Sequence, residues 1–265
     1  MRYFAVVFLA VAASAVPLDF QPTARFQHPA LSFEEPESRI VGGQEVPPHQ
    51  APYQAGLYMG DIFCGGSLIN ERYVLTSAQC ASKAMRPVVI LGAHRIKEKE
   101  REQQQYVATK VILHPHWDKF YSDVALVMLP QNIKFTSAIQ PIKLAPPGAG
   151  SFEGDQVRVT GWGLTSDNDK DLSPVLRFIL NPIVSRSVCE RKLNVKMFDG
   201  QMCLSGEGRR SPCVGDGGAP VIASYQKELV QVGIVSFMVE GACEKGNPVG
   251  LTRISYYYNW ILASM

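Results

Sequence analysis

Cys64-Gly65-Gly66-Ser67-Leu68-Ile69-Asn70-Glu71-Arg72-Tyr73-Val74-Leu75-Thr76-Ser77-Ala78-Gln79-Cys80 holds two short apolar runs, residues 66–69 and 73–76, parted by polar turn residues and framed by two cysteines. Runs this short and this rich in β-branched and aromatic side chains read as strands. The same style extends outward to residues 53–58, 88–91, 106–113 and 124–129. It resumes at 157–160, 176–182, 221–223 and 229–237, each run bounded by Gly, Pro, Asn or Asp. An all-β chain of two barrels or sandwiches follows. Residues 141–154, with Pro146-Pro147-Gly148, read as the linker between the halves. Only residues 255–265 look helical, with Tyr258, Ile261 and Leu262 spaced for one face.

A chain of 265 residues is long enough for one large domain or two small ones. Hydrophobic residues at 46% and charged residues at 19% exclude wholesale disorder, and 22 Gly without a period exclude collagen. A net charge of +2 implies neither a nucleic acid nor a strongly anionic surface as partner. Residues 1–15 begin Met1-Arg2, continue through an apolar run and end on Ala13-Ser14-Ala15, the pattern of a secretory signal peptide. The run is too short to cross a bilayer, and no later segment qualifies, so no membrane span is expected. Residues 16–39 are rich in Pro, Glu and Ser, contain no Cys, and read as a leader that is removed. Residues 40–265 then carry a net charge of +3.

Cys64, Cys80, Cys189, Cys203, Cys213 and Cys243 make an even number in a chain that reads as secreted, so three disulfides are expected, with the pairing open at this point. No C-x-x-C pair or His–Cys cluster favours zinc, and no metal or cofactor is expected. Residues 97–102, a run of mixed charge, read as a solvated loop.

From residue 40 onward the chain resembles the chymotrypsin-like serine protease family. The likeness is carried by Arg39-Ile40-Val41-Gly42-Gly43, by Cys64-Gly65-Gly66-Ser67-Leu68-Ile69, by Val74-Leu75-Thr76-Ser77-Ala78-Gln79-Cys80 and by Asp123-Val124-Ala125-Leu126. Gly161-Trp162-Gly163 and Cys213-Val214-Gly215-Asp216-Gly217-Gly218-Ala219-Pro220 complete it, in the family's order. The resemblance implies two packed antiparallel six-stranded β-barrels with a short C-terminal helix and a site in the cleft between them. It also implies the disulfides Cys64–Cys80, Cys189–Cys203 and Cys213–Cys243.

That family activates a Ser hydroxyl with a His, orients the His with a buried Asp, and stabilises the oxyanion with two backbone N–H groups. By the resemblance, Gln79 stands where the His belongs and Gly217 where the Ser belongs, while Asp123 remains. An amide is no base near neutral pH, and glycine offers no nucleophile. The degenerate triad therefore reads as a pseudo-protease, with no enzyme activity expected. His28, His49, His94, His114 and His116 fall in the leader or in loops and supply no substitute base. Asp123, if buried, needs donors, and the Gln79 amide and Ser236 hydroxyl are the candidates.

Gly215 and Gly217 keep the backbone of an oxyanion hole. Cleavage after Arg39 would free Ile40 to pair with Asp216, the family's amino-terminal switch. In the specificity pocket Ser211 gives an uncharged floor, while Met238 and Val249 stand where relatives carry Gly, so a narrowed pocket is expected. The loop after Leu91-Gly92 lacks two carboxylates of calcium-binding relatives.

The function expected from these losses is a secreted non-catalytic homologue that works by binding, as cofactor, decoy or regulator in an extracellular proteolytic process, with an unidentified protein partner and as a monomer. The alternative is an active serine-type endopeptidase using non-standard residues. A polyanion-binding effector is disfavoured by the small positive charge.

Overall fold

The computed structural model describes residues 41–239 and 241–265. The residues read as signal peptide (1–15) and leader (16–39), with Arg39 and Ile40 of the expected cleavage site, lie outside the described residues.

After β1 (Gln44–Glu45), the strands β2 (Gln54–Met59), β3 (Ile62–Leu68), β4 (Tyr73–Thr76), β5 (Val88–Leu91), β6 (Gln104–Val107), β7 (Lys110–Leu113) and β8 (Ala125–Met128) build the first sheet. Its order is β6-β5-β2-β3-β4-β8-β7, antiparallel throughout. The sheet curls into a half-barrel around Leu57, Leu68, Val74, Val89, Leu91 and Val127, all fully buried. Strands β6 and β7 are parted by Ala108 and Thr109, whose N–H groups donate to the carbonyls of Pro87 and Met128. The edge of the sheet thus turns a corner from β5 to β8, and the continuous run read over 106–113 is broken there.

The second half contributes β9 (Lys143–Leu144), β10 (Gln156–Gly161), β11 (Arg177–Val184), β12 (Gln201–Leu204), β13 (Pro220–Tyr225), β14 (Glu228–Phe237) and β15 (Val249–Arg253). Here β11-β10-β13-β14-β15-β12 closes on itself through β12 and β11, a six-stranded barrel. Closure removes the free edges a sheet otherwise exposes. Strand β9 runs parallel to β14, so the segment read as a linker also adds to the barrel wall.

Among the described residues three α-helices complete the fold: α1 (Ala78–Ala81), α2 (Arg186–Leu193) and α3 (Ile254–Ala263). The buried face of helix α3 is not the one read from spacing at Tyr258, Ile261 and Leu262, for Leu262 is 47% exposed; the helix buries Ile254, Tyr257 and Ile261 against Leu75 and Leu126 of the first sheet, the adjoining Val124, and Ile234 of the second. It therefore pins the two halves together. Helix α2 and the strands β12 and β15 were not foreseen. In α2 only Val188, Cys189 and Leu193 are apolar, and the helix is held by the Cys189–Cys203 disulfide and a left-handed Asn194 at its C-terminal end. The other disulfides are Cys64–Cys80 and Cys213–Cys243, as the resemblance implied.

The halves meet through polar pairs as well as apolar ones. The Ser67 hydroxyl donates to Gln231 Oε1 at 2.6 Å and the Thr160 hydroxyl to Gln54 Oε1 at 2.6 Å, all four residues buried. Such satisfied pairs fix the register of one half on the other without leaving a buried polar atom unpaired.

Candidate functional site

The site lies where α1 of the first half meets the turn 213–218 of the second. The Gly65 N–H donates to the Gly217 carbonyl at 2.8 Å, and a side chain at Gly65 would press on Ala219. Cys80 Sγ lies 3.4 Å from the same Gly217 carbonyl, so the segment carrying Gln79 and the turn carrying Gly217 are brought together.

Ser77 caps α1 by accepting from the Cys80 N–H at 3.3 Å, which sets Gln79 in the first turn with its side chain exposed. The Gln79 backbone N–H, not its side-chain amide, donates to Asp123 Oδ1 at 2.7 Å. The Ser236 hydroxyl donates to Oδ2 at 2.6 Å. The expectation for Asp123 is thus met by Ser236 and corrected at Gln79: a helix-start N–H does what the amide was assigned. Ser122, in the left-handed conformation at φ 54°, turns the chain so that Asp123 points inward. Asp123 is 2% exposed, and burial pushes its carboxyl up to about 6 against the opposing pull of the Ser236 and Gln79 hydrogen bonds.

The opening at Gly217 is narrow: a Cβ built there meets Cys80 Sγ at 3.3 Å, so a side chain fits only if that disulfide sulfur gives by a few tenths of an ångström. Gly215 sits at φ 100°, a conformation reserved for glycine, and keeps the turn tight beside Gly163.

Asp216 points away from this opening. Its carboxylate accepts from the Gly163 N–H at 2.8 Å and the Cys213 N–H at 3.0 Å. Gly161 and Gly163 lie so close that a side chain on either would collide with it. The residue is 1% exposed, and burial pushes its carboxyl up to about 6. Val41, the first described residue, is buried against Cys213 and Cys243, and its carbonyl accepts from the Ser211 N–H at 3.3 Å.

Ser211 is buried, with its hydroxyl turned to the Pro212 carbonyl at 2.8 Å. Val249 belongs to the core of the closed barrel, and Met238 packs against both that core and the Val41–Cys213–Cys243 cluster.

Several contacts had no sequence signal. Asp167 accepts from the N–H groups of Cys243 (2.8 Å) and Glu244 (3.3 Å), while Glu244 accepts from the Asp167 N–H at 2.8 Å, so two loops beside the site are clasped. Glu100, read as solvated, instead accepts from the N–H groups of His94 and Arg95. His94, read as a loop residue, is 5% exposed and bonds Glu45 Oε1 through Nε2 at 2.8 Å. These partners are far apart in sequence or lie inside irregular loops, where periodicity carries nothing.

Residues 40–261 match the Trypsin family, and the chain belongs to it. Across 84% of its length it is 37% identical to brachyurin of Leptuca pugilator, covering 96% of that protein. It is 34% identical to collagenase of Hypoderma lineatum, over 90% of this chain and 92% of the relative. Cationic trypsin-3 of Rattus norvegicus is 32% identical over 97% of this chain and 96% of the relative. Trypsin and collagenase are names of working proteases, and they overturn the expectation of a non-catalytic cofactor, decoy or regulator. That expectation weighed the two missing side chains, whereas the similarity to these proteases extends through both halves of the chain. The three disulfides agree with an extracellular setting, and among the described residues no helix is long and apolar enough to cross a membrane.

Proposed function

We propose that the chain is a serine-type endopeptidase of the trypsin family that works with residues other than the family's His and Ser. The similarity to named proteases over nearly the whole of each relative carries this reading. The family's own route is closed, because Gln79 cannot take a proton and Gly217 has no hydroxyl. What stands at the site is a hydroxyl–carboxylate pair, Ser236 and Asp123, 2.6 Å apart. A carboxylate raised to about 6 is a better base near neutral pH than an ordinary aspartate. Nucleophile and base within hydrogen-bond reach are the minimum for acyl transfer.

In this reading Ser236 Oγ attacks the scissile carbonyl carbon and Asp123 takes the hydroxyl proton. Asp123 then returns the proton to the leaving amine, and water releases the acyl group by the same path in reverse. Backbone N–H groups of the 215–217 turn receive the developing oxyanion. The protein is secreted through residues 1–15, residues 16–39 are its leader, and cleavage after Arg39 frees Ile40 to pair with Asp216. Its partner is a protein substrate, and gelatin is the substrate to try first because collagenase names one relative.

The test is a fluorophosphonate label on the full chain, with the adduct located by mass spectrometry. Labelling of Ser236, lost in Ser236→Ala, is expected. An unlabelled chain that leaves gelatin intact overturns the reading and returns Gln79 and Gly217 as the end of catalysis.

A further inference from the structure

A cavity of about 410 Å³ opens where three segments of the second half meet: the stretch 147–153 before β10, the first residue of α2 and the first turn of α3. Gly148, Ser151, Arg186, Arg253, Ser255 and Tyr256 line it. None of them belongs to the site around Asp123. A volume of this order suits a small ligand.

Arg253 is the group whose hydrogen bonds are unmet. Its Nη1 donates to the Gly150 carbonyl and its Nη2 to the Gln201 carbonyl, both at 3.4 Å, beyond the usual N–H···O range of roughly 2.7–3.2 Å. Its Nε–H is buried and has no partner. Burial first, and the Arg186 guanidinium second, hold the Arg253 pKa below the usual arginine value, against the pull of Asp199 and Glu153. Arg253 enters no ion pair among the described residues. A guanidinium keeps its charge in a protein, so the cavity holds a cation with an idle, buried donor.

The remaining groups fit a small oxyanion. No side chain caps α3 and its first turn has no acidic residue, so Ser255 and Tyr256 bring uncapped backbone N–H groups to the wall, and Ser255 a hydroxyl. Arg186, 34% exposed, pairs with the 80% exposed Asp199 at 2.7 Å. Glu153 also stands on the rim and is exposed. Exposed carboxylates are solvated and screened, so they oppose an anion in the cavity less than the half-buried guanidinium attracts it. Asp199 is therefore a tethered competitor: it holds Arg186 until an anion with more oxygens takes the guanidinium over. The forked N–H groups of two arginines match the oxygens of a tetrahedral anion, two at a time.

We propose that the Arg186–Arg253 cavity binds a sulfate or phosphate group, free or at the end of a small ester, and that Asp199 restrains the affinity by holding Arg186. The bound group ties the stretch 147–153 to the starts of α2 and α3. Binding does not depend on the hydrolytic reading, so the two fail separately.

The experiment titrates the full chain calorimetrically with sodium sulfate, then with phenyl phosphate, sodium chloride keeping the ionic strength constant. Saturable sulfate binding is expected, with a rise in melting temperature that chloride at the same ionic strength does not give. Arg253→Gln weakens binding about tenfold. Asp199→Asn tightens it about threefold, a gain that no folding defect imitates. Affinity for phenyl phosphate above that for sulfate assigns the cavity to an ester, and equal or lower affinity assigns it to the free ion. No saturable binding of either probe, undiminished binding in Arg253→Gln, or weaker binding in Asp199→Asn overturns the proposal.

Discussion

Asp123 and Asp216 are both buried, at 2% and 1% exposure, and burial pushes both carboxyls up to about 6. Their surroundings nevertheless differ in kind. Asp123 is shared between a backbone N–H and the Ser236 hydroxyl, a group that can itself react. Asp216 is enclosed by Gly161 and Gly163 and accepts from backbone N–H groups alone. The same shift with the same cause thus attends one carboxylate set against a hydroxyl and another set against the backbone. A raised pKa marks burial, and only the partners say what the carboxylate is for.

The largest effect that sharpens this contrast comes from returning the missing side chains. Gln79→His with Gly217→Ser puts a base over Asp123 and a hydroxyl into the space beside Cys80, and fluorophosphonate labelling speeds up by several powers of ten. A labelling rate equal to that of the unmodified chain would mean that the turn 213–218 is not in an oxyanion-binding shape.

Next comes the enclosure of Asp216. Gly163→Ala forces a methyl group into the carboxylate, and thermal unfolding registers a loss on the order of 3 kcal/mol. Gly60→Ala, where the nearest atom stands at 3.8 Å, costs less by the same measurement despite its positive φ of 66°.

Both aspartates bear on the pH dependence of stability. Each has a folded pKa of about 6, raised above the ordinary 3.8, so between those values the folded chain binds more protons than the unfolded one. Their contribution is fully present below about 4 and is lost as pH rises through about 6, roughly 3 kcal/mol for each group. Asp216→Asn removes about half of that fall in a urea titration run from pH 4 to pH 7. In the chain cut after Arg39, the Ile40 ammonium lowers the Asp216 carboxyl and cancels the same half. A cut chain with an unchanged slope breaks the assignment of Asp216 to the switch.

Two smaller effects follow. Ser236→Ala leaves a buried carboxylate short of one donor and lowers stability by about 2 kcal/mol. Glu45→Gln, at a half-exposed carboxylate on His94, changes it by less than about 1 kcal/mol. A larger loss from Glu45→Gln than from Ser236→Ala would invert the ranking of the two regions.

Much of the fold was legible because short apolar runs with turn residues between them leave few alternatives. Strands over 54–59, 73–76, 88–91 and 228–237 fall where the runs stood. Strand β12 was missed because Gln201-Met202-Cys203-Leu204 contains no β-branched or aromatic residue, and β15 because Gly250 interrupts its apolar run. The site was legible residue by residue where a motif carried it: the cysteines, Asp123, Asp216 and the glycine turn. Its wiring was not. That Asp123 takes the Gln79 backbone N–H depends on the cap that Ser77 gives α1. Nor did the two vacant positions, Gln79 and Gly217, say as much about function as the relatives did.

The most direct measurement is gelatin hydrolysis by the full chain against pH, with Ser236→Ala as the comparison. Turnover that appears as pH rises through about 6, while Asp123 gives up its proton, and that vanishes in Ser236→Ala is the expected result. Equal rates in the two proteins, or no turnover in either, contradict peptide hydrolysis through the Ser236–Asp123 pair.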